Sequence, residues 1–323
     1  MPISKEAKTL RIGSRDSKLA LVQTELVVNK LKQAYPHLDI HIETMKTIGD
    51  KILDKAMDKI GDKGLFTKEL ESALAGQMID LVVHSLKDMP TQLPPNMQLA
   101  CITEREDPRD CLIMKLDHKC QRIEDLPAGS VIGTGSVRRV AQLQRLYPHL
   151  KFTGVRGNLQ TRLAKLDAED SPYDALVLAV AGIKRVQLES RITQILDQVY
   201  YAVGQGALGV EVRCGDEETL RLIGCLNDAT ARATCLAERE LMRVLEGGCS
   251  VPIGVRSEWT GSQLRLHAIV VSPDGKQAVE AYGNADMGDL YTEAADERAR
   301  NLGLHVAQLM RGKGADEILK NIH

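Results

Sequence analysis

The chain is predicted to be an α/β protein, with two similar lobes around a cleft and a small α+β third domain. Strand-to-helix transitions occur at two places, and the residues that end the two helices are the same. A segment of alternating hydrophobicity follows nearer the C-terminus. Because a strand, a helix and a second strand form one parallel unit, each lobe is expected to be built from βαβ units.

The two lobes begin alike. An apolar strand at residues 9–13 precedes capping residues and a helix at 18–34. A strand at 130–133 and a helix at 137–147 repeat this order, and a tyrosine, a proline, a histidine and a leucine end both helices. The alternative is that the repeat is a coincidence. A strand that leads into a helix N-terminus is also a candidate anion site.

Two segments are predicted to carry the chain between the lobes. Residues 104–110 are polar and charged, and residues 203–210 are apolar and rich in glycine. Two crossings leave a cleft between the lobes. The expected domains are residues 1–103 plus 207–226, residues 109–202, and residues 229–323.

Composition limits the function classes. The net charge of -2 and the aromatic content of 3% argue against a general nucleic-acid binder. The apolar run at 175–183 is too short to span a bilayer, and the first ten residues do not resemble a signal peptide. Seven scattered cysteines indicate reduced thiols and no metal site. We expect a cytoplasmic monomer with no membrane partner.

Arginines are concentrated in the second lobe. Seven lie between residues 133 and 191, namely Arg138, Arg139, Arg145, Arg156, Arg162, Arg185 and Arg191. A guanidinium pairs with carboxylate or phosphate through two parallel hydrogen bonds, so the pattern favours an anion-binding cleft. Arg138 and Arg139 open a helix, where the macrodipole disfavours a cation. Arg15 occupies the matching point of the first lobe. Surface ion pairs remain the alternative for any one arginine.

Asp88 and Lys87 follow a predicted buried strand at 81–83. The C-terminal ends of strands face the ligand crevice in α/β sheets, so both side chains are well placed for chemistry. An aspartate among cations stabilises positive charge or moves a proton. The alternative is a turn-capping aspartate before Pro90.

Cys249 follows two glycines that end a helix predicted at 236–246. The turn suits either a thiol that a bulky group can approach or a small buried hydrophobe, and the turn alone does not decide between them. Residues 46–68 alternate lysines, aspartates and glycines. This pattern suits either a solvated helical segment or a mobile lid.

Together these segments closely resemble the hydroxymethylbilane synthase family, also called porphobilinogen deaminase. The resemblance covers nearly the whole chain. Its motifs are at residues 11–23, 64–69, 84–90, 105–110, 138–139, 156–158, 203–206 and 238–254. Gly135 and Tyr201 depart from the family pattern, which commonly has serine and proline there.

The resemblance implies a transferase of tetrapyrrole and haem biosynthesis. Cys249 would hold a dipyrromethane cofactor through a thioether. Four porphobilinogen molecules would be added to this primer with loss of ammonia, and hydrolysis would release linear hydroxymethylbilane. The partners would be porphobilinogen and the growing pyrrole chain. The family fold has three domains. The resemblance implies that the first two are doubly wound mixed sheets around a cleft, related to periplasmic binding proteins.

The resemblance also implies residue roles. Asp88 would assist deamination and stabilise positive charge. The residues that would hold carboxylates of cofactor, substrate or product are Arg15, Arg138, Arg139, Arg156, Arg162 and Arg185. Further hydrogen bonds would come from Ser17, Lys87, Thr134 and Ser136. Two other hypotheses are a non-catalytic two-lobed anion-binding protein, which leaves Cys249 unexplained, and a thiol-dependent acyl transferase, which needs a base near Cys249.

The cofactor hypothesis predicts a covalent adduct. The denatured protein should exceed its sequence mass by two linked pyrrole units because a thioether survives unfolding, and the Cys249→Ser protein should lack them. Intact-protein mass spectrometry measures both. A bare polypeptide mass in active enzyme would contradict the hypothesis.

Overall fold

The computed structural model describes residues 9–47, 67–245 and 251–320. The predicted α/β class is confirmed, with two five-stranded mixed sheets and one three-stranded antiparallel sheet. In chain order the strands are β1 (Thr9–Arg15), β2 (Asp39–Met45), β3 (Leu81–Ser85), β4 (Met97–Ile102), β5 (Asp110–Met114), β6 (Val131–Gly133), β7 (Lys151–Thr153), β8 (Ala175–Ala179), β9 (Gln194–Ile195), β10 (Leu208–Arg213), β11 (Ile253–Thr260), β12 (Gln263–Val271) and β13 (Ala278–Asp286).

Helices cover both five-stranded sheets and one face of the third. They are α1 (Lys18–Ala34), α2 (Lys68–Ala75), α3 (Val137–Leu146), α4 (Leu159–Asp167), α5 (Val180–Arg185), α6 (Glu217–Ile223), α7 (Ala229–Val244), α8 (Glu293–Gly312) and α9 (Ala315–Lys320). The predicted lid at 46–68 lies largely outside the described residues, which omit 48–66.

The two large sheets have the same topology. The first has the order β2-β1-β3-β10-β4, and the second has the order β7-β6-β8-β5-β9. In each sheet the first three strands are parallel, and the fourth, β10 or β5, is antiparallel to the strands on both sides of it. Each of these antiparallel strands directly follows a crossing. The repeat inferred from the sequence is therefore a repeat of structure.

Local sequence explains the central strands and helix starts. Strand β8 is apolar throughout and β3 is apolar over Leu81–Val83, and both are buried except at their last residue, as expected for strands covered on both faces. Ser17 caps α1 by accepting a hydrogen bond from the Ala20 amide, and Asn158 caps α4 in the same way with the Thr161 amide. Both caps place the helix N-termini next to strand ends, which is where the candidate site residues occur.

The third sheet packs against α7 and α8. Its core includes Leu241, Leu266 and Val306, which are fully buried. Helix α7 begins at Ala229, where the third domain is predicted to start, because Asp228 caps it through a 2.7 Å hydrogen bond from the Ala231 amide. The alanine-rich start then propagates the helix. The described part of this domain resumes at Val251, so Cys249 lies outside the described residues.

A buried ion pair joins the crossings to the third domain. Arg105 donates from both terminal nitrogens to the two carboxylate oxygens of Glu238, at 2.8 and 3.0 Å. Glu238 also accepts from the Gly204 amide at 2.8 Å and from Ser257 Oγ at 2.7 Å. Arg105 Nε donates to the Gln205 carbonyl at 2.8 Å. Burial opposes the charge of Arg105, but Glu238 raises the pKa of Arg105 above its usual value.

Tyr201 makes contacts that the family's commoner proline could not make. Its amide donates to the Val255 carbonyl at 3.0 Å, and its carbonyl accepts from the Val255 amide at 2.8 Å. Its hydroxyl accepts from the Ser257 amide at 2.7 Å. Proline lacks the amide hydrogen. In this chain the segment just before the second crossing is therefore paired with the edge of β11.

Gly206 is required where the two crossings touch. Its φ is +91°, and a Cβ there would overlap the Glu106 carbonyl. Gly129 has nearly the same φ, +88°, with open space around the Cβ position. Both glycines therefore need a positive φ, but only at Gly206 would a Cβ also overlap a neighbouring backbone atom.

We expect Gly206→Ala to lower the free energy of unfolding by about 3 kcal/mol and Gly129→Ala by about 1 kcal/mol, because only the first adds a backbone overlap to the positive-φ strain. Urea unfolding of both variants measures the difference. Equal losses would show that the overlap is relieved without cost.

Candidate active site

The first lobe brings Asp88 and Arg15 to one pocket. Strand β3 ends at Ser85, and a single 3-10 turn, Leu86–Asp88, carries Lys87 and Asp88 beyond it. Parallel β1 ends at Arg15 on the same edge of the sheet. The described residues that line the pocket include Arg15, Gln23, His84, Ser85 and Asp88. The predicted placement of Asp88 at a strand end is what the structure shows.

A buried histidine and glutamate form part of the pocket's support. His84 Nε2 lies 2.8 Å from Glu211 Oε2, and both residues are buried. Gln23 Nε2 donates to Ser85 Oγ at 2.9 Å. No role is predicted from the sequence for His84, Glu211 or Gln23. His84 and Gln23 lie within motifs of the family resemblance, at residues 84–90 and 11–23, which could have marked them as site residues. Glu211 lies in no such motif.

The second lobe presents its predicted residues on the turn from β6 to α3. Thr134 is buried, and its Oγ1 accepts from the Ser136 amide at 3.4 Å. Ser136 is the residue before α3, and Arg138 and Arg139 lie in the first turn of that helix. The helix start therefore carries two cations despite the unfavourable macrodipole.

Asp110 accounts for the stability of that arrangement. Its carboxylate lies 2.9 Å from Arg138 and 2.7 Å from Arg139 and is fully buried. Burial alone would raise the pKa of Asp110, but the two guanidinium groups hold it well below its usual value. Arg139 also donates to the Val177 carbonyl at 2.9 Å. Within the described part of the chain, the Nε atoms of both arginines are buried and have no hydrogen-bond acceptor.

Charged residues of the two lobes face each other across the cleft. Burial lowers the pKa of Lys87 to about 8, and the charges of Arg139 and Arg138 act in the same direction, whereas Asp88 and Asp110 oppose it. Burial likewise lowers the pKa of Arg162, with Asp88 opposing the shift. Lys87 and Asp88 of the first lobe and Arg138, Arg139 and Arg162 of the second therefore form one electrostatic cluster.

Four predicted site residues, Arg156, Arg185, Ser17 and Cys249, are not among the five that form this cluster. Arg156 adds its charge to the surroundings of Arg162. Arg185 donates to the Gly206 carbonyl at 2.7 Å, beside the second crossing, and burial lowers its pKa to about 10. Ser17 caps α1. Cys249 lies outside the described residues, so the structure does not place its sulfur.

Three residues that reach the site were not singled out from the sequence. Asp110 ends the charged segment predicted as a crossing, and Gln205 lies in the second predicted crossing. Arg239, on α7, donates to the carbonyls of Met89 and Pro90 at 3.3 and 2.7 Å. It therefore fixes the chain just after Asp88 from the third domain. The only sequence signal for these residues is that they lie within motifs of the family resemblance: Asp110 in 105–110, Gln205 in 203–206 and Arg239 in 238–254.

Two classes of feature are absent from the part of the chain that the structure describes. No group of three or more histidine, cysteine or acidic residues there could hold a metal ion. No helix there is both long and apolar enough to cross a membrane.

Family comparison matches almost the whole chain. A model described as "Porphobilinogen deaminase, dipyromethane cofactor binding domain" matches residues 10–221, and one described as "Porphobilinogen deaminase, C-terminal domain" matches residues 232–312. Curated proteins named porphobilinogen deaminase are also similar. The Nostoc sp. (strain PCC 7120) protein is 49% identical over 99% of this chain and 96% of its own length, and the Candida albicans protein is 45% identical over 98% and 94%.

Solved structures of binding domains show a more distant similarity. The methionine binding protein MetQ has a TM-score of 0.41 and 14% identity, covering 67% of this chain and 88% of its own. The periplasmic VFT2 domain of Bordetella pertussis BvgS has a TM-score of 0.40 and 13% identity, covering 68% and 86%.

Lys87 should titrate near pH 8 because its ammonium is buried beside two guanidinium groups. The pH dependence of its labelling by an amine-specific reagent, followed by peptide mass spectrometry, gives the midpoint. Asp88→Asn should move that midpoint lower, since the Asp88 charge favours the ammonium. A midpoint at the ordinary lysine value of 10.5 would contradict this description of the cluster.

Proposed function

The chain belongs to the porphobilinogen deaminase family, and we propose that Asp88 is the catalytic residue of its reaction. The enzyme joins four porphobilinogen molecules head to tail on a covalent dipyrromethane primer, releases ammonia at each addition and frees hydroxymethylbilane by hydrolysis. The match to a family of enzymes disfavours the alternative of a non-catalytic anion-binding protein.

The observation that supports Asp88 most strongly is its position in the pocket with Arg15, where its charge also acts on Lys87 and Arg162. Among the described residues that line the pocket, it is the only acid. Porphobilinogen loses its amine as ammonia, so the departing nitrogen needs a proton and the carbon left behind becomes electron-poor. A carboxyl group can supply the proton and, once ionised, stabilise the positive charge.

The chain's residues fit the dipyrromethane group. Each pyrrole of such a group carries an acetate and a propionate, and the cleft offers cations from both lobes. The buried Nε atoms of Arg138 and Arg139 lack acceptors among the described residues and would be satisfied by a ligand carboxylate. When bound, dipyrromethane supplies the free pyrrole carbon that receives the first porphobilinogen.

The protein side of the reaction is then binding, orientation and proton transfer. We assign carboxylate binding to six arginines: Arg15, Arg138, Arg139, Arg156, Arg162 and Arg185. Four further residues, Ser17, Lys87, Thr134 and Ser136, add hydrogen bonds to the ligand. Cys249 is the proposed thioether attachment point, and the family match over the C-terminal domain supports it. Its sulfur anchors the primer and takes no part in turnover.

Other parts of the proposal concern organisation. We propose domain limits at residues 1–103 plus 207–226, 109–202 and 229–323, supported by the membership of β10 in the first sheet. The net charge of -2 supports a protein without a nucleic-acid partner. We further propose that the enzyme acts as a monomer in the cytoplasm.

Asp88→Asn should keep the cofactor yet lower kcat by about 100-fold or more, because an amide of the same shape can neither give up a proton nor balance positive charge. Intact mass reports the cofactor, and ammonia release from porphobilinogen reports turnover. Asp117→Asn, at an exposed position with a positive φ that asparagine tolerates, is the matched control. Wild-type turnover in Asp88→Asn would refute the assignment.

A further inference from the structure

Gln205 links the two lobes inside the site. It is buried, with 1% of its surface exposed, and it belongs to the second crossing. Its side-chain nitrogen donates to Asp110 Oδ1 at 2.8 Å and to the Pro108 carbonyl at 2.6 Å. Its side-chain oxygen accepts from Lys87 Nζ at 3.3 Å. One amide therefore contacts the ammonium of the first lobe and the carboxylate of the second.

The two partners, Lys87 and Asp110, determine which end of the Gln205 amide faces each of them. An ammonium group only donates hydrogen bonds, and an ionised carboxylate only accepts them. The amide oxygen must therefore face Lys87, and the amide nitrogen must face Asp110. Neither a carboxylate nor an apolar side chain at position 205 could satisfy both sides.

Asp110 connects Gln205 to the two arginines. The carboxylate oxygen that Gln205 contacts is the one that accepts from Arg139, and the other oxygen lies beside Arg138. With these groups occupied, each guanidinium retains its buried Nε hydrogen for another acceptor. The direction in which the Nε–H of Arg138 and of Arg139 points thus depends on Asp110.

We propose that Gln205 and Asp110 are positioning residues that hold Lys87, Arg138 and Arg139 in a fixed arrangement for the carboxylates of one pyrrole unit. Neither residue needs to touch the substrate. The inference rests on the proposed function, in which Arg138 and Arg139 bind carboxylates and Lys87 adds a hydrogen bond to the ligand. It adds that cations from the two lobes are held together as one binding element across the cleft.

The titration of Lys87 reports on this arrangement. The charged groups that act on its ammonium are Asp88 beside it and Asp110, Arg138 and Arg139 from the second lobe. A negative charge added at position 205 should raise the pKa of Lys87, and loss of the negative charge at Asp110 should lower it. General structural damage would not shift one titration in opposite directions.

The experiment uses the cofactor-loaded enzyme and three variants, Gln205→Met, Gln205→Glu and Asp110→Asn. Gln205→Met should raise KM for porphobilinogen about tenfold and change kcat less, because it removes hydrogen bonds that orient charged groups. The alkaline limb of kcat/KM against pH should move up by about one unit in Gln205→Glu and down in Asp110→Asn. Circular dichroism and intact mass confirm folding and cofactor loading.

Gln198→Met is the matched control, since Gln198 is a part-buried glutamine whose amide donates to the Tyr147 hydroxyl and, among the described residues, makes no hydrogen bond with the cations of the site. It should keep the wild-type KM and pH profile. An unchanged KM in Gln205→Met, or an unmoved alkaline limb in both charge variants, would overturn the inference. If Gln205→Glu fails to fold, Gln205→Met and Asp110→Asn still decide it.

Lys87→Met separates failure of this inference from failure of the proposed function. If Lys87→Met raises KM while the Gln205 and Asp110 variants do not, only the positioning role is wrong. If Lys87→Met leaves KM unchanged, the proposed role of Lys87 in hydrogen bonding to the ligand is itself wrong.

Discussion

The buried ion pair of Arg105 and Glu238 is the interaction on which the arrangement of the three domains depends. It joins the first crossing to helix α7, and the Glu238 carboxylate also accepts from Gly204 in the second crossing. A buried charge is tolerated only where its partners satisfy it, and removal of one partner of such a pair generally costs about 3 to 5 kcal/mol. Here the hydrogen bonds of the carboxylate come from both crossings and from β11. The pair therefore fixes the point at which all three domains meet.

That junction also sets the geometry of the site. Arg105 holds the Gln205 backbone, while the Gln205 side chain reaches Lys87 and Asp110. From the opposite side, Arg239 on α7 holds the backbone just after Asp88. The site needs many cations close together, which opposes folding because like charges repel when water is excluded. Asp110 offsets this repulsion by pairing with two arginines at once, and the cleft remains positively charged toward a ligand.

The sequence predicts the parts of this structure that depend on local chemistry. Helix α1 begins at Lys18 as expected because Ser17 supplies its cap, and Asp88 lies at a strand end because β3 is a short apolar run. Long-range pairing was not predictable. Arg139 and Asp110 are 29 residues apart, and nothing in their spacing shows that β5 brings the carboxylate beneath α3. The role of Cys249 stays a prediction that rests on family resemblance.

The two sheets are completed at different stages of synthesis, because the fourth strand of the first sheet, β10, is the last of its strands in the chain and the fourth strand of the second, β5, is the first of its strands. Strand β10 lies between β3 and β4 in the first sheet, yet it is made after every strand of the second sheet. Until β10 emerges from the ribosome, β4 has no partner in its sheet, and β3 exposes an unpaired apolar edge that invites association with other chains. The second sheet is contiguous in sequence and can close first. The N-terminal lobe, although made first, is thus the later of the two to be completed.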